Sequence, residues 1–148
     1  MKISVFFALP PEGASEECIA EHDAAVRVLK RVSSLELVSL HVPSNIRRAD
    51  LYIYNVFHGL GVGGILEIRS AIGRGGPILL LQHVESFLPQ DLEALIRGRK
   101  HVRAMHFSDL ADEIAGCIND MIFETPILRA KRQQAQVQIA GVIRPSVA

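Results

Sequence analysis

Apolar, β-forming runs alternate with helix-patterned stretches from the start of this chain to about residue 123, and few folds accept such an alternation. Ile3 to Leu9 is nearly unbroken apolar sequence ended by Pro10-Pro11, as expected for a strand buried on both faces. A helix is expected over about Ser15 to Arg31, where Cys18, Ala25, Leu29 and Val32 form one stripe at spacings of seven, four and three. Leu35 to Leu40 reads as a short second strand, and "SNIRRAD" as a helical turn capped by Ser44 or Asn45. "DLYIYNVF", Asp50 to Phe57, is a third strand rich in β-formers.

The glycine-rich stretch that follows opens a helix over about Gly64 to Ile72, stopped by "GRGGP". "PILLLQHV" is a fourth strand. "LPQDLEALIRG" is a helix with Pro89 near its first turn and Gly98 past its end. "VRAMHF" is a fifth strand. From Asp109 a last helix carries Leu110, Ile114, Cys117 and Met121 at spacings of four, three and four, with Asp112 and Glu113 in its first turn. Right-handed crossovers turn this alternation into a parallel sheet with helices on both faces. The expected fold is α/β: a flavodoxin-like three-layer fold with a five-stranded parallel sheet in the order 2-1-3-4-5.

At 148 residues, one domain of this kind has room for a real core, and with 49% hydrophobic residues and no Trp that core is aliphatic. Lys+Arg and Asp+Glu balance at 16 each, so no global basic field recommends a nucleic-acid partner. Apolar runs such as "PILLL" are too short to span a bilayer, so no membrane partner is expected. "MKISVFFALP" has a short apolar run without a clear cleavage pattern and reads as the first buried strand. Cys18 and Cys117 fall in separate helices, as suits a reducing, cytoplasmic setting. After Phe123 the sequence turns Gln-rich and holds two prolines. Residues 1–123 are therefore taken as the domain, and 124–148 as a loosely ordered tail or an oligomerisation arm using Val137, Ile139, Val142 and Ile143.

In an open parallel sheet, ligands bind beyond the carboxyl ends of the strands, where the strand order reverses. Here that crevice is lined by "LPPEGAS" after strand one and "FHGLGVGG" after strand three. The glycines let backbone approach a ligand, and the N–H groups opening the third helix can hold an anion such as phosphate. Glu67 is expected on the first turn of that helix, either as a site carboxylate or simply as a group favoured by the helix dipole.

Other readings of the same residues fare worse. Gly59-x-Gly61-x-x-Gly64 has Glu85 lying 21 residues beyond Gly64, which formally fits a dinucleotide fingerprint. It follows the third strand, however, and leaves too little chain for a dinucleotide domain plus a substrate domain. His41, His58, His83 and His106 all fall near strand ends, yet strands two and five are opposite edges about 19 Å apart. Only His58 and His83 could meet, with no third ligand, so no metal site is expected and His58 reads as a pocket wall. There is no G-x-S-x-G elbow, and the glycine stretch lacks the Lys-Ser/Thr of a phosphate-binding P-loop.

"IRRADLYIYNVFHGLGVGGILEIRSAIGRGGPILLL" resembles the signature half of the nucleoside 2-deoxyribosyltransferase family, which includes the deoxynucleoside 5′-monophosphate N-glycosidases. The shared elements are Ala49-Asp50 entering an apolar strand, the loop Gly59 to Gly64, Gly63 with Glu67, and Gly76-Pro77-Ile78-Leu79. The resemblance covers about residues 46 to 82 and is only topological elsewhere. It implies cleavage or transfer at the N-glycosidic bond of a (deoxy)nucleoside or its 5′-monophosphate, with no cofactor. Glu67 would be the nucleophile on the anomeric carbon, forming a glycosyl-enzyme ester. Leu9, His58, Gly59, Gly61, Gly63 and Gly64 would line the substrate, the glycines holding a 5′-phosphate. The resemblance also implies a homo-oligomer, because family members complete their pockets from a neighbouring subunit.

The chain departs from the family at three positions. Val42 stands where an Asp usually assists the leaving base, the first-strand loop that usually supplies a glycine or aromatic residue to the sugar reads Ala8-Leu9-Pro10-Pro11, and Arg69 stands two past the nucleophile, where a glycine is usual. Loss of an acid/base typically costs about 10²–10⁴-fold in rate. The alternative is therefore a non-catalytic nucleotide-binding or regulatory member of the same fold. A glutamate-dependent NAD-cleaving domain of related topology is a minor third reading.

Overall fold

The computed structural model describes residues 2–38, 49–56 and 62–143, with the backbone alone at 62, 63 and from 137 onward. Within these, β1 (Ile3–Phe7), α1 (Glu16–Lys30), β2 (Leu35–Leu37), β3 (Leu51–Asn55), α2 (Val62–Arg74), β4 (Ile78–His83), α3 (Gln90–Ile96), β5 (Val102–Phe107), α4 (Leu110–Glu124) and α5 (Pro126–Ile143) follow one another. The expected turn over Ser44 to Arg48 lies outside the described residues.

Local sequence accounts for the boundaries. Ser15 caps α1, its hydroxyl accepting from the Cys18 N–H at 3.2 Å, with Glu16 and Glu17 in the first turn and Arg27 and Lys30 in the last. Asp109 caps α4 by accepting from the Asp112 N–H at 3.1 Å. Glu113 reaches back to accept from the N–H groups of Asp109, at 2.6 Å, and Ser108, at 2.8 Å. Those backbone donors hold its carboxyl below the usual range. Gly75, with φ 79°, takes the left-handed turn that ends α2, and Gly76 follows where an added Cβ would sit 3.1 Å from the Tyr52 ring.

All strands are parallel, in the order β2-β1-β3-β4-β5, with helices on both sides of the sheet. Alternate residues of each strand feed two cores. On one face Val5, Phe7, Leu51, Ile53, Leu79 and Leu81 pack with Ala25 and Leu29 of α1 and Ile114, Ile118 and Met121 of α4. On the other, Phe6, Tyr52, Tyr54, Ile78 and Leu80 pack with Ile68, Ala71 and Ile72 of α2 and Leu92 of α3.

Beyond Glu124 the chain continues as α5. Leu128 on its first turn is buried in the α1/α4 core, and Arg132 donates to the Asn119 side chain at 2.7 Å. Lys131 pairs with Asp50 at 2.6 Å. Asp50, the acidic residue that enters β3, also accepts from the Ser4 N–H at 2.8 Å and the Ser4 hydroxyl at 2.9 Å. It thus fastens the bases of β1 and β3 and ties α5 to them, at the end of the sheet opposite the crevice.

Candidate active site

The strand order reverses between β1 and β3: β1 leads into α1 on one face, β3 into α2 on the other. Their carboxyl ends therefore flank a crevice whose two walls belong to opposite layers. Leu9, just past β1, is 57% exposed on its rim. Asn55, the last residue of β3, donates to Glu21 of α1 at 3.3 Å, closing the α1 side. There too the His22 ring lies 4.5 Å from that of Phe7, and burial pushes its pKa down. His58, Gly59 and Gly61 lie outside the described residues. Gly63 and Gly64 belong to the first turn of α2.

Glu67 corrects one expectation. α2 begins at Val62, two residues earlier than the sequence suggests, so Glu67 is its sixth residue and falls in the second turn. The reason is that Val62 and Gly63 are absorbed into the helix instead of prolonging the glycine loop. Even so, Glu67 does not turn away. It lies one residue before buried Ile68 and four before buried Ala71, on the stripe that faces the sheet. The side chain is half-buried, and burial raises its pKa while the Arg74 guanidinium acts in the opposite direction.

What lies under it is Tyr54, which the sequence marks only as part of a strand. Tyr54 is 2% exposed, and its phenolic oxygen has no hydrogen-bond partner among the described residues. Burial and the facing Glu67 carboxylate both push the Tyr54 pKa upward. The Phe6 ring packs against it at 6.2 Å and against Tyr52 at 5.9 Å. Arg74 sits 5.3 Å over the Tyr52 ring. Helix and strand run in opposite directions here. Seven residues of helix, about 10 Å, separate Glu67 from Arg74, and two residues of strand, about 7 Å, separate Tyr54 from Tyr52. The two pairs thus stack at successive levels below the crevice. Period-2 alternation was the available signal: Tyr52 and Tyr54 must share the face that α2 covers.

The remaining histidines do not converge on this place. His83, at the end of β4, accepts from the Glu85 N–H at 3.1 Å and meets the Phe107 ring edge-on at 5.6 Å. His106 is exposed on β5, and His41 lies outside the described residues. Among the described residues no group of three His, Cys, Asp or Glu could hold a metal ion.

A separate cleft of 420 Å³ opens at the opposite end of the sheet, lined by Lys2, Ile3, Ser33, Ser34, Arg132 and Gln136. It holds cations and hydroxyls without a carboxylate or an activating base. Among the described residues, a half-buried carboxylate, a buried phenol and the topological reversal coincide at the other end. No helix among the described residues is long and apolar enough to cross a membrane.

No family model and no curated protein matches the sequence. Among solved structures the chain is similar to the Clostridium botulinum CMP N-glycosidase BcmB, with a TM-score of 0.55 and 18% identity over 76% of this chain and 98% of that one. At that identity the likeness is one of fold.

Proposed function

We propose that this protein cleaves or transfers at the N-glycosidic bond of a (deoxy)nucleoside or its 5′-monophosphate, with Glu67 as nucleophile. The observation that carries the reading is the position of Glu67, half-buried beneath the switch-point crevice and facing a buried phenol. Support also comes from the fold, which is shared with a CMP N-glycosidase, and from the Gly-x-x-x-Glu and Gly-x-Pro-Ile-Leu pattern over residues 63–79.

In this mechanism a Glu67 carboxylate oxygen attacks the anomeric carbon. The C–N bond breaks, its electron pair leaves with the base, and the base nitrogen takes up a proton from solvent water, Val42 standing where an assisting Asp would be expected. Water or a second base then displaces the carboxylate from the sugar and regenerates it. Glu67 acts in its ionised form. Burial raises its pKa, so activity falls as pH falls through that raised value, and Arg74 opposes the rise. Leu9 and His58 would flank the sugar and base. Gly59, Gly61, Gly63 and Gly64 would hold the phosphate through their N–H groups. These steps require neither a metal nor a cofactor.

We further propose a cytoplasmic setting, from the two cysteines in separate helices, and a role in self-association for the segment 124–148. In its favour, Phe123 and Ile127 are 66% and 68% exposed near the start of that segment.

A second reading is supported by Val42, which stands where a base-assisting Asp would be expected, and by the absence, among the described residues, of a second carboxylate acting on Glu67. It makes the protein a nucleotide-binding, non-catalytic member of the fold. Incubation with a panel of nucleosides and 5′-monophosphates, followed by chromatography for free base, separates the two. Base release supports the enzyme, whereas nucleotide binding without release supports the binding protein.

A further inference from the structure

We propose that Tyr54 is a positioning residue for Glu67, its phenolic O–H donating to the carboxylate and holding it oriented and ionised beneath the crevice. The catalytic meaning of this pair rests on the reading of Glu67 as nucleophile, but the pair itself does not.

The inference starts from an unmet need. Tyr54 is 2% exposed, and its phenolic oxygen finds no hydrogen-bond partner among the described residues. A buried hydroxyl in that state is costly, and native interiors rarely tolerate one without a reason. The ring has little freedom to escape, being packed on Phe6 at 6.2 Å within the α2-side core. The ionisable groups facing it are Glu67 and Arg74 of α2 and Tyr52 of its own strand. Arg74 has only donors to offer and lies over the Tyr52 ring, one level further from the crevice. Tyr52 projects from the same strand two residues away, so the two rings stand side by side instead of meeting tip to tip. An ionised carboxylate is an acceptor alone, and Glu67 carries it on a side chain with three rotatable bonds. Rotation about these bonds can re-aim the carboxylate, whereas the packed phenol stays in place.

The chemical consequence follows from which state the bond favours. Donation to the charged carboxylate stabilises that form and opposes the effect of burial, as Arg74 also does from the same helix. A nucleophile so held keeps its free oxygen aimed into the crevice.

The test is a carboxyl-detected NMR titration of Glu67 in the wild type and in Tyr54→Phe, assigned with Glu67→Gln. The proposal expects the Glu67 pKa to rise by about one unit in Tyr54→Phe; an unchanged value overturns it. Should Tyr54→Phe fold poorly, the phenolic ¹³Cζ NMR shift of Tyr54 at neutral pH in Glu67→Ala, against the wild type, answers instead. It should change on loss of the acceptor, and an unchanged shift again overturns the pair. Turnover is read separately. If the wild type releases base, Tyr54→Phe should lower kcat about tenfold, leave KM within about twofold, and move the acid limb of the pH profile upward by the same shift as the titration. A shifted titration in a protein that releases no base leaves the pair standing and removes the glycosidase reading.

Discussion

Two carboxylates close to β3 in sequence meet opposite fates, and the contrast yields a prediction. Asp50 accepts three hydrogen bonds, from the Ser4 N–H and hydroxyl and from Lys131. Glu67 is half-buried, and burial raises its pKa. A carboxyl whose folded pKa exceeds its unfolded value binds its proton more tightly when folded, so its contribution to stability is lost as pH rises through that folded value. Glu67→Gln should therefore unfold at or above the wild-type temperature at pH 7, and the difference should vanish near pH 4. Asp50→Ala leaves Lys131 and the Ser4 hydroxyl without their acceptor and should cost about 2–4 kcal/mol. Thermal and urea denaturation of the two variants check both signs. Removing the catalytic candidate stabilises, and removing the structural carboxylate destabilises. At this scale the sequence singles out Glu67 as a candidate through its Gly-x-x-x-Glu pattern and gives no sign of Tyr54. Nothing in "DLYIYNVF" says that one of two tyrosines keeps an unpaired hydroxyl; that depends on which helix covers the strand.

Elements were more legible than their ends. Strand composition and the apolar stripes of the helices place β1, β3, β4, β5, α1 and α4 correctly, because each signal is local. The start of α2 lies before the expected one because glycines read as loop formers, whereas here Gly63 and Gly64 sit within the first helical turn. α5 was missed because its stripe is weak: a run of Gln residues carries little periodicity, and the helix is held by Leu128 and Lys131 at its beginning. Two glycines at the far end of α2 test how far backbone conformation alone fixes the element. Gly73 is helical and exposed, and a Cβ added there would meet nothing within 4 Å, while Gly75 is equally open but holds φ at 79°. Gly73→Ala should stabilise by about 0.5–1 kcal/mol, and Gly75→Ala should destabilise by about 1 kcal/mol. Urea midpoints of opposite sign are expected from near neighbours that differ chiefly in φ.

At the scale of the whole molecule, the topology follows from handedness and alternation, and the crevice from topology. The 2-1-3-4-5 order makes α1 and α2 leave the sheet on opposite faces, and the helix that carries Glu67, the proposed nucleophile, leaves at that reversal. What the sequence could not supply was the depth of the site. The depth of Glu67 is set by helix and strand running in opposite directions, which brings it to the level of Tyr54. The exposed Phe123 and Ile127 sit where self-association would cover them, each able to contribute about 1.5–3 kcal/mol on burial before ordering costs. Light scattering at micromolar concentration should give more than a monomer, and Phe123→Ser with Ile127→Ser should lower the mass; a monomeric wild type refutes the interface. The central claim concerns chemistry, and the most direct measurement is base release from nucleosides and 5′-monophosphates by wild type and Glu67→Ala side by side, with circular dichroism confirming that both are folded. The account predicts free base with the wild type and a loss of at least about 10³-fold in the variant; equal rates in the two proteins would contradict it.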